Sequence, residues 1–226
     1  MKWFESLKVN INRAWKYIKK ISHEIFAFPM YILLHPIDGF YELKRYHKGL
    51  LWVATLYFLL TSVLGILEFA YTGFIFNTIN PNNFDMLNSI LVSIFPFIIF
   101  VVANWSITSL LDGKGTLKEI FLVTGYALSV HVWLRIVALM SSHFFTMEES
   151  FFYYGIITVS YVLLFVMMFM GIRSIHEYSI VRTVSTIFLT FLSMLIIVFI
   201  ILLGFSLIQQ IAVFLQTIIR EMILRL

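Results

Sequence analysis

Five long apolar stretches fill most of this 226-residue chain, and the loops between them are too short to form an aqueous domain. They run roughly over Leu50–Ala70, Leu87–Leu111, Glu119–Met140, Tyr153–Ile172 and Val184–Leu207. Each has the length of about 20 largely apolar residues that a helix needs to cross a hydrocarbon core of about 30 Å. The expected fold is therefore all-α and polytopic. A five-transmembrane-helix bundle over residues 49–226 follows an N-terminal arm over residues 1–48. The chain is 12% charged, where a soluble domain averages about 25%. It has no cysteine, which excludes disulfides, thiolate metal sites and cysteine nucleophiles. The N-terminus is charged and amphipathic where a cleavable signal would place an apolar core, so no signal peptide is expected.

Charge in the loops gives the spans a direction. Nine basic residues precede the first span, the last of them Lys44, Arg45 and Lys48. The loop after span one has none, the next has Lys114 and Lys118, and the loop after span three has none but carries Glu148 and Glu149. Arg173 and Arg182 follow span four, and Arg220 and Arg225 follow span five. The positive-inside rule then predicts a multi-pass protein of the cell membrane, with its N-terminus cytoplasmic and its C-terminus extracytoplasmic. Beyond span five, Ile208, Ile211, Leu215, Ile218, Met222 and Leu226 recur at helical spacing, opposite Gln209, Gln216 and Arg220. That tail is amphipathic, whether it bends onto the membrane surface or continues span five as one rod.

The arm has a similar logic. Trp3, Leu7, Ile11, Trp15, Ile18 and Ile21 form an apolar stripe, with Lys8, Arg13, Lys16, Lys19 and Lys20 around it. A basic amphipathic helix with tryptophan on its apolar side suits the head-group plane of an anionic inner leaflet. Trp3, Lys8, Trp15, Lys16, Lys19 and Lys20 are its candidate membrane contacts; a helix packed on a partner protein has the same pattern. Ile25–Leu34 is interrupted by Pro29 and too short to span, which predicts an interfacial or re-entrant hairpin. Nucleic acid is not an expected partner, because the basic residues alternate with membrane-seeking aromatics and no recognition fold accompanies them.

Polar residues at membrane depth are costly and informative. Arg135 lies well inside span three and Glu68 near the outer end of span one, at similar depth if both spans are straight. Their expected pairing reads either as an inter-helix clamp or as part of an ion or solute path. His131 precedes Arg135 by one turn and shares its face, but no second ligand stands at metal-binding spacing. Asn104 and Trp105 mark a helix–helix contact.

Between spans two and three, Leu111-Asp112-Gly113-Lys114-Gly115-Thr116 offers two glycines for a tight turn, with Thr116 and Glu119 spaced as a capping box. It lacks the glycine-rich cradle and ending of a phosphate loop. Ser174-Ile175-His176-Glu177-Tyr178-Ser179 contains half of a metalloprotease motif without its second histidine. In His35-Pro36-Ile37-Asp38-Gly39-Phe40, Pro36 and Gly39 break regular structure and Asp38 is placed to cap residues 39–46. These loops read as docking surfaces through Asp38, Asp112, Lys114, His176, Glu177 and Tyr178. No catalytic residue, metal or cofactor is expected.

The stretch His35 to Lys44 resembles the lead-in of bacterial membrane proteins of the Yip (Ypt-interacting protein) family. So do Tyr71-Thr72-Gly73-Phe74 with Phe76-Asn77, Asn104-Trp105 followed by Asp112-Gly113-Lys114-Gly115, Gly125-Tyr126-Ala127-Leu128, and His176-Glu177-Tyr178-Ser179. The resemblance runs from about Phe28 to the C-terminus. In the family a proline often follows the Gly-Tyr-Ala-Leu stretch, whereas this chain continues Ser129-Val130-His131, so a kink in span three is not expected.

The resemblance implies a five-helix bundle with a cytoplasmic N-terminus. Eukaryotic members are associated with vesicle trafficking and small GTPases. The bacterial members most similar to this chain tend to be encoded beside carbohydrate ABC importers. That context implies a non-catalytic accessory or regulatory subunit docking on importer permeases and serving sugar transport. The alternatives are a small solute or ion transporter or channel built on Arg135, Glu68 and His131, or a general membrane-trafficking and organising scaffold.

Overall fold

The computed structural model describes residues 15, 19–77 and 84–225. Of the arm's candidate membrane contacts, Trp3, Lys8 and Lys16 lie outside the described residues, while Trp15, Lys19 and Lys20 are exposed. Among the described residues all regular structure is helical. After a π-helical turn over His23–Ala27 come two short helices, α1 (Phe28–Leu34) and α2 (Pro36–Arg45). Five long helices follow: α3 (Leu51–Tyr71), α4 (Met86–Leu110), α5 (Leu117–Ser141), α6 (Ser150–His176) and α7 (Ile180–Arg225). All five are long and apolar enough to cross a membrane.

The arm departs from expectation. Ile25–Leu34 is a helix, and Pro29 stands in the first turn of α1, where its missing N–H would have no intrahelical acceptor. The turn that breaks the chain falls at His35 instead. Phe28 and Ile32 are buried against the bundle, and Phe28 meets Tyr126 edge to face with ring centroids 5.5 Å apart. Tyr57 donates a 2.6 Å hydrogen bond to the Ile25 carbonyl, tying the segment to α3. In α2, Asp38 is not the cap. The helix begins at Pro36, which places Asp38 in the first turn, where its carboxylate faces the positive end of the helix dipole.

Helix α5 is the hub of the bundle. Its membrane window is 67% buried, against 11% for α7. It packs on α3 and α6, and the α3 crossing is close because Gly125 has no side chain. A Cβ there would sit 2.5 Å from the Cβ of Ala54. Thr116 and Glu119 form the capping box that opens α5. The helix runs unbroken to Ser141, while the proline within a span lies in α4, at Pro96.

Asn104 on α4 donates to the Thr190 hydroxyl of α7 at 3.0 Å, with both residues fully buried. Trp105 points away and is exposed. Helix α7 is one uninterrupted rod of 46 residues, about 70 Å long at 1.5 Å per residue. Its first half lies on α4 and α6, and residues 205–224 are exposed on every side. The rod, rather than the bent form, is the conformation described.

A second, small core closes the end of the bundle opposite the basic loops. Phe76 stacks on Tyr153 with centroids 4.4 Å apart, beside Ala138. The Gly73 backbone amide donates to the Ser142 hydroxyl at 2.8 Å, and the Asn77 side-chain amide to the Phe69 carbonyl at 2.9 Å. Gly73 and Phe76 thus fasten the α3–α4 loop to the ends of α5 and α6, and Asn77 ties it back to α3.

Candidate functional site

At the basic end of the bundle the three polar segments meet. Helix α6 ends at His176, and Glu177 follows in the left-handed conformation with φ 56°. For a residue with a side chain that backbone costs about 1–2 kcal/mol, so its surroundings must hold it. Lys114 from the α4–α5 loop donates to its carboxylate at 2.5 Å, and Lys44 from α2 stands 3.5 Å from the other oxygen. Lys44 also donates to the Ile175 carbonyl at 2.6 Å. The hydrogen bond from Lys114, and then the charges of Lys114 and Lys44, hold the Glu177 carboxyl below its ordinary range.

His176 is only 1% exposed. Its Nδ1 accepts the Gly115 amide at 3.1 Å, and its ring stacks on Tyr178. Tyr178 in turn donates to the Leu111 carbonyl at 3.1 Å, an oxygen shared with the Arg182 guanidinium.

This geometry revises the role of the two loop glycines. Neither has positive φ; in that turn the left-handed residue is Asp112, at φ 51°. Gly113 and Gly115 make room for the histidine. A Cβ on Gly113 would lie 2.6 Å from His176 Nδ1, and one on Gly115 2.7 Å from Cε1. Sequence reasoning missed this because the two loops are some sixty residues apart. The signal was the pairing of two glycines in one short loop with a lone histidine in the next.

Of the six candidate docking residues, His176 and Tyr178 are buried struts. Asp38, Asp112, Lys114 and Glu177 reach the surface. Between α2 and the end of α6 runs a groove of about 510 Å³, lined by Ile37, Asp38, Tyr41, Arg173 and Glu177 among others. Ile37 and Tyr41 are large apolar side chains that remain more than half exposed.

Glu68 and Arg135 meet near the opposite end. Arg135 Nε donates to Glu68 Oε1 at 2.6 Å, and a terminal nitrogen donates to Oε2, a bidentate pair. The other terminal nitrogen reaches the Tyr161 hydroxyl at 3.5 Å. His131 lies one turn away on the same cavity wall. Among the described residues no cluster of three or more potential metal ligands is present.

A comparison with protein families matches the Yip1 domain over residues 30–213. No curated protein and no solved structure matches the chain.

Proposed function

The chain belongs to the Yip1-domain family, and from that premise we propose that it is a non-catalytic accessory subunit that docks on the permeases of a carbohydrate ABC importer. The family points to a membrane protein of the trafficking and organising type, and its members are generally non-enzymatic. The specific partner is our reading, supported by the gene neighbourhood that the resemblance implies.

The observation that carries the docking role is the groove at the basic end of the bundle. Three chain segments are locked there through Glu177, Lys114, Lys44 and His176, so the face beside them is stiff before any partner arrives. A preorganised surface loses little conformational freedom on binding, which leaves more of the contact energy as affinity. Ile37 and Tyr41 supply exposed apolar anchors, and Asp38 and Arg173 supply charges of both signs beside them. This face is cytoplasmic in the orientation that the basic loops favour.

The test is affinity purification of the full chain from native membranes in mild detergent. Permease subunits are expected to accompany it. Ile37→Asp with Tyr41→Arg should abolish that association while the protein keeps its elution volume and melting temperature. Solitary migration of the native protein, with unchanged sugar uptake on deletion, would refute the proposal.

A further inference from the structure

The docking face leaves one built feature without a use. Between α3, α4, α5 and α6, at the end opposite the basic loops, lies a cavity of about 330 Å³, lined by Glu68, Val92, Ser93, His131, Arg135 and Tyr161 with several apolar neighbours. Its polar atoms are incompletely matched. A guanidinium has five N–H donors, and the contacts to Glu68 and Tyr161 engage three of them, leaving two.

His131 is 5% exposed. A neutral imidazole keeps one nitrogen as an acceptor, and Nδ1 is buried and has no partner. Pro96 adds a second open acceptor. It lacks an N–H, so the Val92 carbonyl one turn earlier loses its helical donor. Leaving such a group unmatched and dry costs about 1–3 kcal/mol.

The open groups are thus donors beside Arg135 and acceptors beside Glu68, Val92 and His131. A simple anion would be repelled by the Glu68 carboxylate, and a simple cation by Arg135. A zwitterion satisfies both, with its anion on the guanidinium and its ammonium on the carboxylate and the two free acceptors.

Position narrows the class further. Glu68 is three residues from the end of α3 and Arg135 six from the end of α5, so the pair lies about 5–9 Å below the helix ends. That is the depth where head groups meet acyl chains. The cavity rim at Val92 and Pro96 is exposed on the flank of the bundle that faces lipid. Its volume is at the small end of ligand pockets, about 300–1,000 Å³, which admits a head group and leaves the acyl chains outside.

We propose that this cavity binds the zwitterionic head group of an aminophospholipid, with phosphate against Arg135 and ammonium against Glu68, His131 Nδ1 and the Val92 carbonyl. The site is independent of the docking reading. It gives the pair at Glu68 and Arg135 a ligand as well as a clamping role.

Native mass spectrometry of the full-length protein in mild detergent tests it, with added phosphatidylethanolamine, phosphatidylglycerol or soluble glycerophosphoethanolamine. One phosphatidylethanolamine should be retained at least about tenfold more tightly than phosphatidylglycerol. The soluble head group should compete only weakly, because it lacks the chains that hold the lipid at the rim.

Val92→Trp plugs the rim without touching the ion pair, and Ser93→Leu fills the interior. Either should lower retention about tenfold at unchanged melting temperature. Equal retention of the two lipids would overturn the proposal, as would full retention by both variants. Equally effective competition by glycerophosphoethanolamine would overturn the lipid assignment in favour of a free solute.

Discussion

Removing one partner of the Glu68–Arg135 pair should cost far more than removing both. The two side chains retain 21% and 17% of their exposure, so neither can rely on water. In Glu68→Leu, Arg135 keeps only the long contact to Tyr161. An unpaired arginine costs about 2.5–3.5 kcal/mol at the centre of a span and less near its end, where Arg135 lies, while breaking a buried pair from one side costs about 3–5. A destabilisation of about 3 kcal/mol is therefore expected, somewhat over a hundredfold in the unfolding equilibrium. Arg135→Leu should cost less, because an abandoned carboxylate can take up a proton and an abandoned guanidinium cannot release one. The double variant should return to within about 1 kcal/mol of the native protein, since an apolar pair of similar volume replaces the ions at little cost. Reversible unfolding in bicelles, run as a double-mutant cycle, reads all three values. A Glu68→Leu cost below about 1 kcal/mol, or a double variant that costs the sum of the singles, would refute the clamp.

Further outcomes follow from the packing. Gly125→Ala drives a methyl group into Ala54 and should destabilise the protein by about 1–3 kcal/mol, read as a lower melting temperature. Gly115→Ala should release the loop from His176, seen as faster amide exchange over residues 111–116 with the spans unaffected. The Lys114–Glu177 clasp should depend on pH. The folded carboxyl titrates below its ordinary value of 4.5, so the stabilisation is complete above that value and is lost as pH falls through the lowered one. Protection of the loop amides, the ratio of intrinsic to observed exchange rate, should stay flat from pH 8 to about 5 and fall in more acid solution, and Glu177→Gln should abolish that fall. Asn104→Leu should cost about 0.6 kcal/mol, the average for a polar contact between membrane helices, and loosen α7 from α4.

How much of this was legible in the sequence differs by kind of signal. The spans were, because about 20 apolar residues in a row have few other uses. The start of the central helix at Leu117 was legible too, because Thr116 and Glu119 are spaced as a capping box ahead of the apolar run. The Glu68–Arg135 contact was legible because charges inside spans are so few that partners nearly identify themselves. The arm was misread at Pro29, since a proline that breaks a helix interior is harmless in a first turn. The burial of His176 and the cavity beside His131 were not legible. Each depends on which residues of distant segments face one another, and neither periodicity nor composition carries that information.

The central position of α5 also bears on how the protein is made. This helix has the lowest hydropathy of the five, 1.7 against 1.9–3.0 for the others, and it carries Arg135. Emerging alone from the ribosome it would be the span least able to partition into lipid. Helix α3 is synthesised earlier and brings Glu68 into the membrane first, with the Ala54 surface on which Gly125 must close. The order of the spans along the chain therefore places both the counter-charge and the packing surface of the third span in the membrane before that span is made.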